Sequence, residues 1–85
     1  MSKRIILGVN ISARTQTVPE VQKIFTEFGC YIKTRLGLHE VSGTSCSPGG
    51  LVILDMFCEE KDILEMESKL AALPGVEVRK MVFAQ

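Results

Sequence analysis

The chain passes twice through the same succession of periodicities. Lys3–Ser12 alternates every second residue, a stretch with helical spacing follows, and Cys30–Leu38 alternates again; Gly50–Phe57, a second helical stretch and Val76–Phe83 then repeat the order. Two strand–helix–strand passes within 85 residues leave few arrangements open. The units stack into one four-stranded sheet with both helices on the same side, and the other side of the sheet is left bare. Function turns on the use made of that bare side.

Each segment has its own physical reason. Ile5, Leu7, Val9 and Ile11 alternate with Arg4, Ile6, Gly8, Asn10 and Ser12, the period of a strand with one face in a core. Because the second set still holds Ile6 and Gly8, this strand reads as central. Thr17-Val-Pro-Glu20 has the spacing of a capping box, and Pro19 falls in the first helical turn, where a missing N–H costs nothing. Val18, Val21, Ile24, Phe25 and Phe28 recur at helical spacing and predict one face packed on the sheet, with Gly29 at the helix end.

In Cys30–Leu38, alternation puts Cys30, Ile32, Thr34, Leu36 and Leu38 on one face and Tyr31, Lys33, Arg35 and Gly37 on the other. Polar residues at alternate positions suit an edge strand. His39–Gly50 is rich in turn formers and reads as a loop longer than a hairpin needs. Leu51–Cys58 is apolar on both faces with Asp55 its one charge, the mark of a strand covered front and back. Lys61–Leu73 follows as a helix with Ile63, Met66, Leu70 and Leu73 as its stripe, stopped by Pro74-Gly75.

Right-handed crossovers predict the first and third strands side by side and parallel in the middle, in the order 4-1-3-2. The two strands so centred are also the two with the least charge on either face. Val21, Ile24, Phe25, Ile63, Met66 and Leu70 can occupy only one side of Leu51–Phe57. The leftover apolar face calls for a partner.

Composition closes off several function classes. Residues 1–85 hold room for one domain, and so short a chain hides roughly 60–65% of its unfolded surface. Ten basic and ten acidic residues, scattered over both halves, give a net charge of zero, whereas binding a phosphate backbone takes a cationic excess. Direct nucleic-acid binding is not expected. Apolar runs are far shorter than the roughly 20 residues of a spanning helix, and the basic start lacks a sustained apolar region. A cytoplasmic location without membrane attachment is expected. Cys30, Cys46 and Cys58 form no C-x-x-C pair and fit reduced thiols.

The run Lys-Leu-Ala-Ala-Leu-Pro-Gly-Val-Glu-Val-Arg-Lys at 69–80, with Gly50-Leu-Val-Ile-Leu-Asp55, Arg35-Leu-Gly-Leu38 and the opening Lys-Arg-Ile, resembles the family of iron-only hydrogenase system regulators. The resemblance covers nearly the whole chain. It implies an α+β fold, a ferredoxin-like, ACT-like βαββαβ sandwich with a four-stranded antiparallel sheet in the order 4-1-3-2 and two helices on one face. That plan is shared with ligand-sensing regulatory domains and with the ligand-binding domain of nickel-responsive regulators. The central segment Ser42–Gly49, with a cysteine inside it, departs from the shorter loop of the family.

His39, Glu40 and Cys46 are metal-capable types around one loop, and imidazole plus thiolate would suit zinc, iron or nickel. His39 and Cys46 are the candidate metal ligands, although the spacing is sparse for a full site. Arg35, Lys33 and Tyr31 on one strand face could hold a carboxylate ligand or stand as solvated edge charges. Cys46 is a candidate redox thiol if exposed, while Cys30 and Cys58 read as small core residues. Ser47-Pro-Gly-Gly50 leads into a strand and reads as a plain turn. With a single histidine, no nucleophile–base–orienter set can be drawn, so no catalytic residue and no enzyme activity are expected.

The candidate ligand-binding residues are therefore Arg35, Gly37, His39, Glu40 and Cys46, with the cofactor left open. The reading is a cytosolic ligand-sensing regulatory module, a homodimer or higher homo-oligomer with a small effector near the contact. The alternative is a protein-interaction subunit in metalloenzyme maturation with no small-molecule ligand of its own.

Overall fold

The computed structural model describes residues 2–12, 17–42 and 45–84, with backbone alone at 17, 38–42 and 45–49. Strand β1 (Lys3–Ile11) leads into helix α1 (Thr17–Glu27), a short 3-10 turn (Gly29–Tyr31) and strand β2 (Ile32–Ser42). Strand β3 (Ser45–Cys58), helix α2 (Glu60–Ala71) and strand β4 (Val76–Val82) complete the chain. The sheet order is β2-β3-β1-β4, the predicted 4-1-3-2 order seen from the other end. β1 pairs with β3 and β4, and β3 with β2, all antiparallel. The parallel central pair expected from the crossovers is thereby corrected, and the antiparallel sheet implied by the resemblance is found. Each helix crossover returns the chain in its starting direction, so β2 runs along β1 one strand removed, and the tight β2–β3 connection reverses β3 against both.

The helix-facing side of the sheet holds the core. Ile5, Leu7, Val9, Leu54 and Met56 are buried there against Val21, Phe25 and Phe28 of the first helical region and Ile63, Met66 and Leu70 of α2. Ile24, Val18 and Leu73 pack on its margin. In the turn between α2 and β4, Gly75 takes φ 77°, a left-handed value that glycine adopts at little cost. Its carbonyl accepts from the Ser12 amide at 2.8 Å, tying this turn to the end of β1. The capping box falls on Thr17, whose side chain lies outside the described residues, and the Glu20 carboxylate is met by Lys23.

Three expectations about the middle of the chain change. Residues 39–50 are not a loop: β2 runs on to Ser42 and β3 starts at Ser45. Along this hairpin His39 lies opposite Gly50 and Val41 opposite Cys46, so Glu40 faces Ser47-Pro-Gly49 across a bulge. The turn-forming residues are taken up by that bulge, where proline needs no ladder partner and Gly50 holds φ 146°. Cys30 is exposed in the 3-10 turn and not in a strand. Finally, Ile32 pairs with Met56 but Thr34 with Asp55, which makes Lys33 an extra residue. An added residue inverts every side chain beyond it. Arg35 and Gly37 therefore fall opposite the inward positions Leu54 and Val52, and Leu36 opposite Ile53 on the bare side.

Candidate functional site

The bare side is built by the alternate residues of the same strands. Gly8 of β1 sits between Ile53 of β3 and Arg79 of β4, Ile6 sits between Asp55 and Met81, and Arg4 lies opposite Phe57. The Phe83 amide donates to the Arg4 carbonyl at 3.0 Å, extending the face by one more aromatic residue. Met81 is 58% exposed, Leu36 54%, Phe57 48% and Phe83 45%. Large apolar side chains this open, gathered on one face, exceed the scatter expected of a solvated surface.

Over Gly8 the face dips into a depression of about 270 Å³ lined by Ile6, Gly8, Ile53, Arg79, Lys80 and Met81. It exists because glycine contributes no side chain between two larger neighbours. A Cβ added there would meet the Arg79 carbonyl oxygen at 3.7 Å and Ile53 Cδ1 at 4.0 Å, ordinary contact distances. The charges around it are closed within the chain. Arg79 Nη2 donates to Glu77 Oε2 at 2.7 Å and Nη1 to the Val78 carbonyl at 2.9 Å. Lys80 Nζ is engaged by Glu67 of α2 at 2.6 Å. Arg4 meets Asp55 in a fork, Nε to Oδ1 and Nη2 to Oδ2, each 3.2 Å.

The residues singled out from the sequence lie elsewhere. Arg35 turns toward α1, where Nη2 donates to Gln22 Oε1 at 2.9 Å and the guanidinium stands 4.9 Å from the Phe25 ring centre. Gly37 lies two residues further along β2, with open space where a side chain would be. Tyr31 packs on Phe28, ring centres 6.4 Å apart, and Lys33 is exposed at the bulge. Tyr31, Lys33 and Arg35 thus form no common face. The backbones of His39, Glu40 and Cys46 share the β2–β3 hairpin, and their side chains lie outside the described residues. Among the described residues, no three His, Cys, Asp or Glu side chains gather to hold a metal ion. Cys58 is buried, and that burial, seconded by the Asp62 charge, pushes its thiol up. The sequence reading missed the Gly8 depression. Its signal was a glycine among the outward residues of a central strand.

The geometry defines a four-stranded ferredoxin-like α+β domain on the plan of ACT-like domains. Comparison with solved structures agrees: the uncharacterized protein TM1266 from Thermotoga maritima superposes with a TM-score of 0.86 at 19% identity, over 98% of this chain and 99% of that one. CPII, a nitrogen regulatory PII-like protein from Thiomonas intermedia K12 solved with ADP, AMP and bicarbonate, matches loosely, with a TM-score of 0.45 and 13% identity over 100% of this chain and 96% of that one. No protein-family model and no curated protein matches the chain. No helix among the described residues is long and apolar enough to cross a membrane.

Proposed function

We propose that this chain is a small regulatory module of the cytosol that senses a small effector, works as more than one copy and performs no catalysis. One observation carries the reading: a four-stranded sheet with helices on one side only, whose other side is apolar and dips over Gly8. An apolar face left open in this way calls for a second copy, and the seam where the copies meet is the place proposed for the effector. The sequence resemblance to iron-only hydrogenase system regulators supports placing the module in that system. Arg35, Gly37, His39, Glu40 and Cys46 belong to the proposal as effector contacts on β2 and the β2–β3 hairpin, with His39 and Cys46 as ligands if the effector is a metal ion. Any action on transcription would need a DNA-binding partner.

Thermal unfolding against metal ions, amino acids and nucleotides tests this. A ligand at a hundredfold excess over its Kd stabilises by about 2.7 kcal/mol, and for a domain of this size that raises the melting temperature by on the order of 10 °C. If nickel, iron or zinc is the effector, its shift should vanish in the His39→Ala and Cys46→Ser variants. A melting temperature unmoved by every class of ligand would overturn the sensing role in favour of a protein-interaction subunit of metalloenzyme maturation.

A further inference from the structure

We infer that the bare face of the sheet is covered by a second copy of this chain, packed face to face so that an apolar side chain of each copy fills the Gly8 depression of the other. The inference names the partner implied by the oligomeric part of the proposed function and rests on that part alone.

Three observations select a second copy over another occupant. First, the face carries both a hole and projections. The depression over Gly8 lies within the same surface as Leu36, Met81, Phe57 and Phe83, each about half exposed. In a two-fold contact each copy must offer both complements, because residue i of one meets residue j of the other and the reverse. A face holding the knob and the socket together meets that condition without a foreign surface.

Second, the charges on the face cancel. Arg4 is closed by Asp55 and Arg79 by Glu77 within one chain, so an acidic or basic partner finds no net charge to attract it. Two identical neutral faces meet without like-charge repulsion. The forked Arg4–Asp55 pair brings its own counter-ion and hydrogen bonds into the contact, which a buried charge requires.

Third, the area suffices. Four strands at about 4.8 Å and nine residues at about 3.4 Å give a face on the order of 500 Å². Two such faces bury on the order of 1,000 Å², which reaches the threshold for a specific contact. Sheets pack face to face about 10 Å apart with interdigitated side chains, so a socket at Gly8 is where a projecting side chain gains most.

The test is the mass of the intact chain in solution by light scattering and sedimentation at micromolar concentration. Twice the chain mass of 9.4 kDa is expected. Gly8→Val fills the socket; its Cβ meets the Arg79 carbonyl oxygen and Ile53 Cδ1 only at ordinary contact distances, and a β-branched residue suits a strand. It should leave the circular dichroism spectrum unchanged and weaken the dimer at least tenfold. Met81→Glu changes a side chain that is 58% exposed, so it spares the fold and should likewise yield monomers. Leu64→Glu, on the outer surface of α2, should leave the dimer intact.

A monomeric wild-type chain overturns the inference. So does a dimer indifferent to Gly8→Val and Met81→Glu, or one broken by Leu64→Glu alone. The two readings fail separately: a monomer that still responds to an effector retires the face-to-face contact and leaves sensing in place. A dimer that responds to no effector does the reverse.

Discussion

The two faces of the central sheet are made by the same strands and meet opposite fates. On one, Ile5, Leu7, Val9, Leu54 and Met56 are sealed beneath two helices; on the other, Ile6, Ile53, Phe57 and Met81 are left partly or largely in water. Hydrophobicity does not separate them, since Phe57 is as apolar as Leu54. The difference lies in the supply of covering elements, two helices for two faces, both delivered to the same side by crossovers of one hand. A strand apolar on both sides in such a chain therefore keeps one face open, and the proposed pairing of two copies rests on that face.

The contrast is most sharply broken by truncating one residue on each side in the Met81→Glu background, where only the fold is read. Leu54→Ala should cost about 2–5 kcal/mol, since it removes a fully enclosed side chain and leaves a cavity, whereas Phe57→Ala should cost about 1 kcal/mol or less because solvent already reaches its ring. Chemical denaturation decides. Equal losses would mean that both faces are sealed within one subunit.

The next test concerns thiols. In a Cys30→Ser, Cys46→Ser variant the remaining Cys58 should react with a disulfide reagent only on unfolding, because it is enclosed and its thiol is held in the protonated form. The same displacement sets a pH dependence. The folded-state pKa lies above the unfolded one, so this stability is full below the ordinary thiol value of about 8.5 and is lost as pH rises past it. Comparison with Cys58→Ala in alkaline denaturation isolates that loss, and a loss on the acid side would contradict the burial.

Smaller effects sharpen the β2 edge and the helix layer. Arg35→Met should cost about 0.5–1 kcal/mol, as it gives up the cation–ring contact with Phe25 and the bond to Gln22. No loss would indicate that this guanidinium is free for a ligand. Smallest of all is Lys69, whose ammonium bridges α2 to Glu27 of α1 and which Glu27 holds above its usual pKa. Lys69→Ala should lower the melting temperature slightly, and added salt should erase the difference.

Much of this was legible from periodicity. The inward set of β1 and the helix stripes follow from residue spacing alone, because burial on one face forces an alternation that can be counted, and the central placement of β1 and β3 follows from the crossovers and from their low charge. Strand direction was less legible: the handedness of the crossovers leaves it open, and the reversal between β2 and β3 decides it. The segment 39–50 misled because its glycines, serines and proline are the residues of turns and also of a bulged ladder, and composition does not separate the two. Alternation sets Arg35 on the face opposite Ile32, and the extra residue at Lys33 brings both to the helix side. The Gly8 depression was hidden since a missing side chain is visible only once its neighbours on two other strands are known.

That extra residue reaches beyond β2 itself. Because it shifts the phase of everything after it, the chemistry displayed on the outside of this edge depends on a count of residues as well as on their kinds. Were Lys33 taken into the ladder opposite Asp55, Arg35 would replace Leu36 on the outer surface with no amino acid altered. The gain or loss of one bulge at a strand entrance is thus a route by which a chain of this plan can trade a greasy rim for a charged one, and with it the company it keeps.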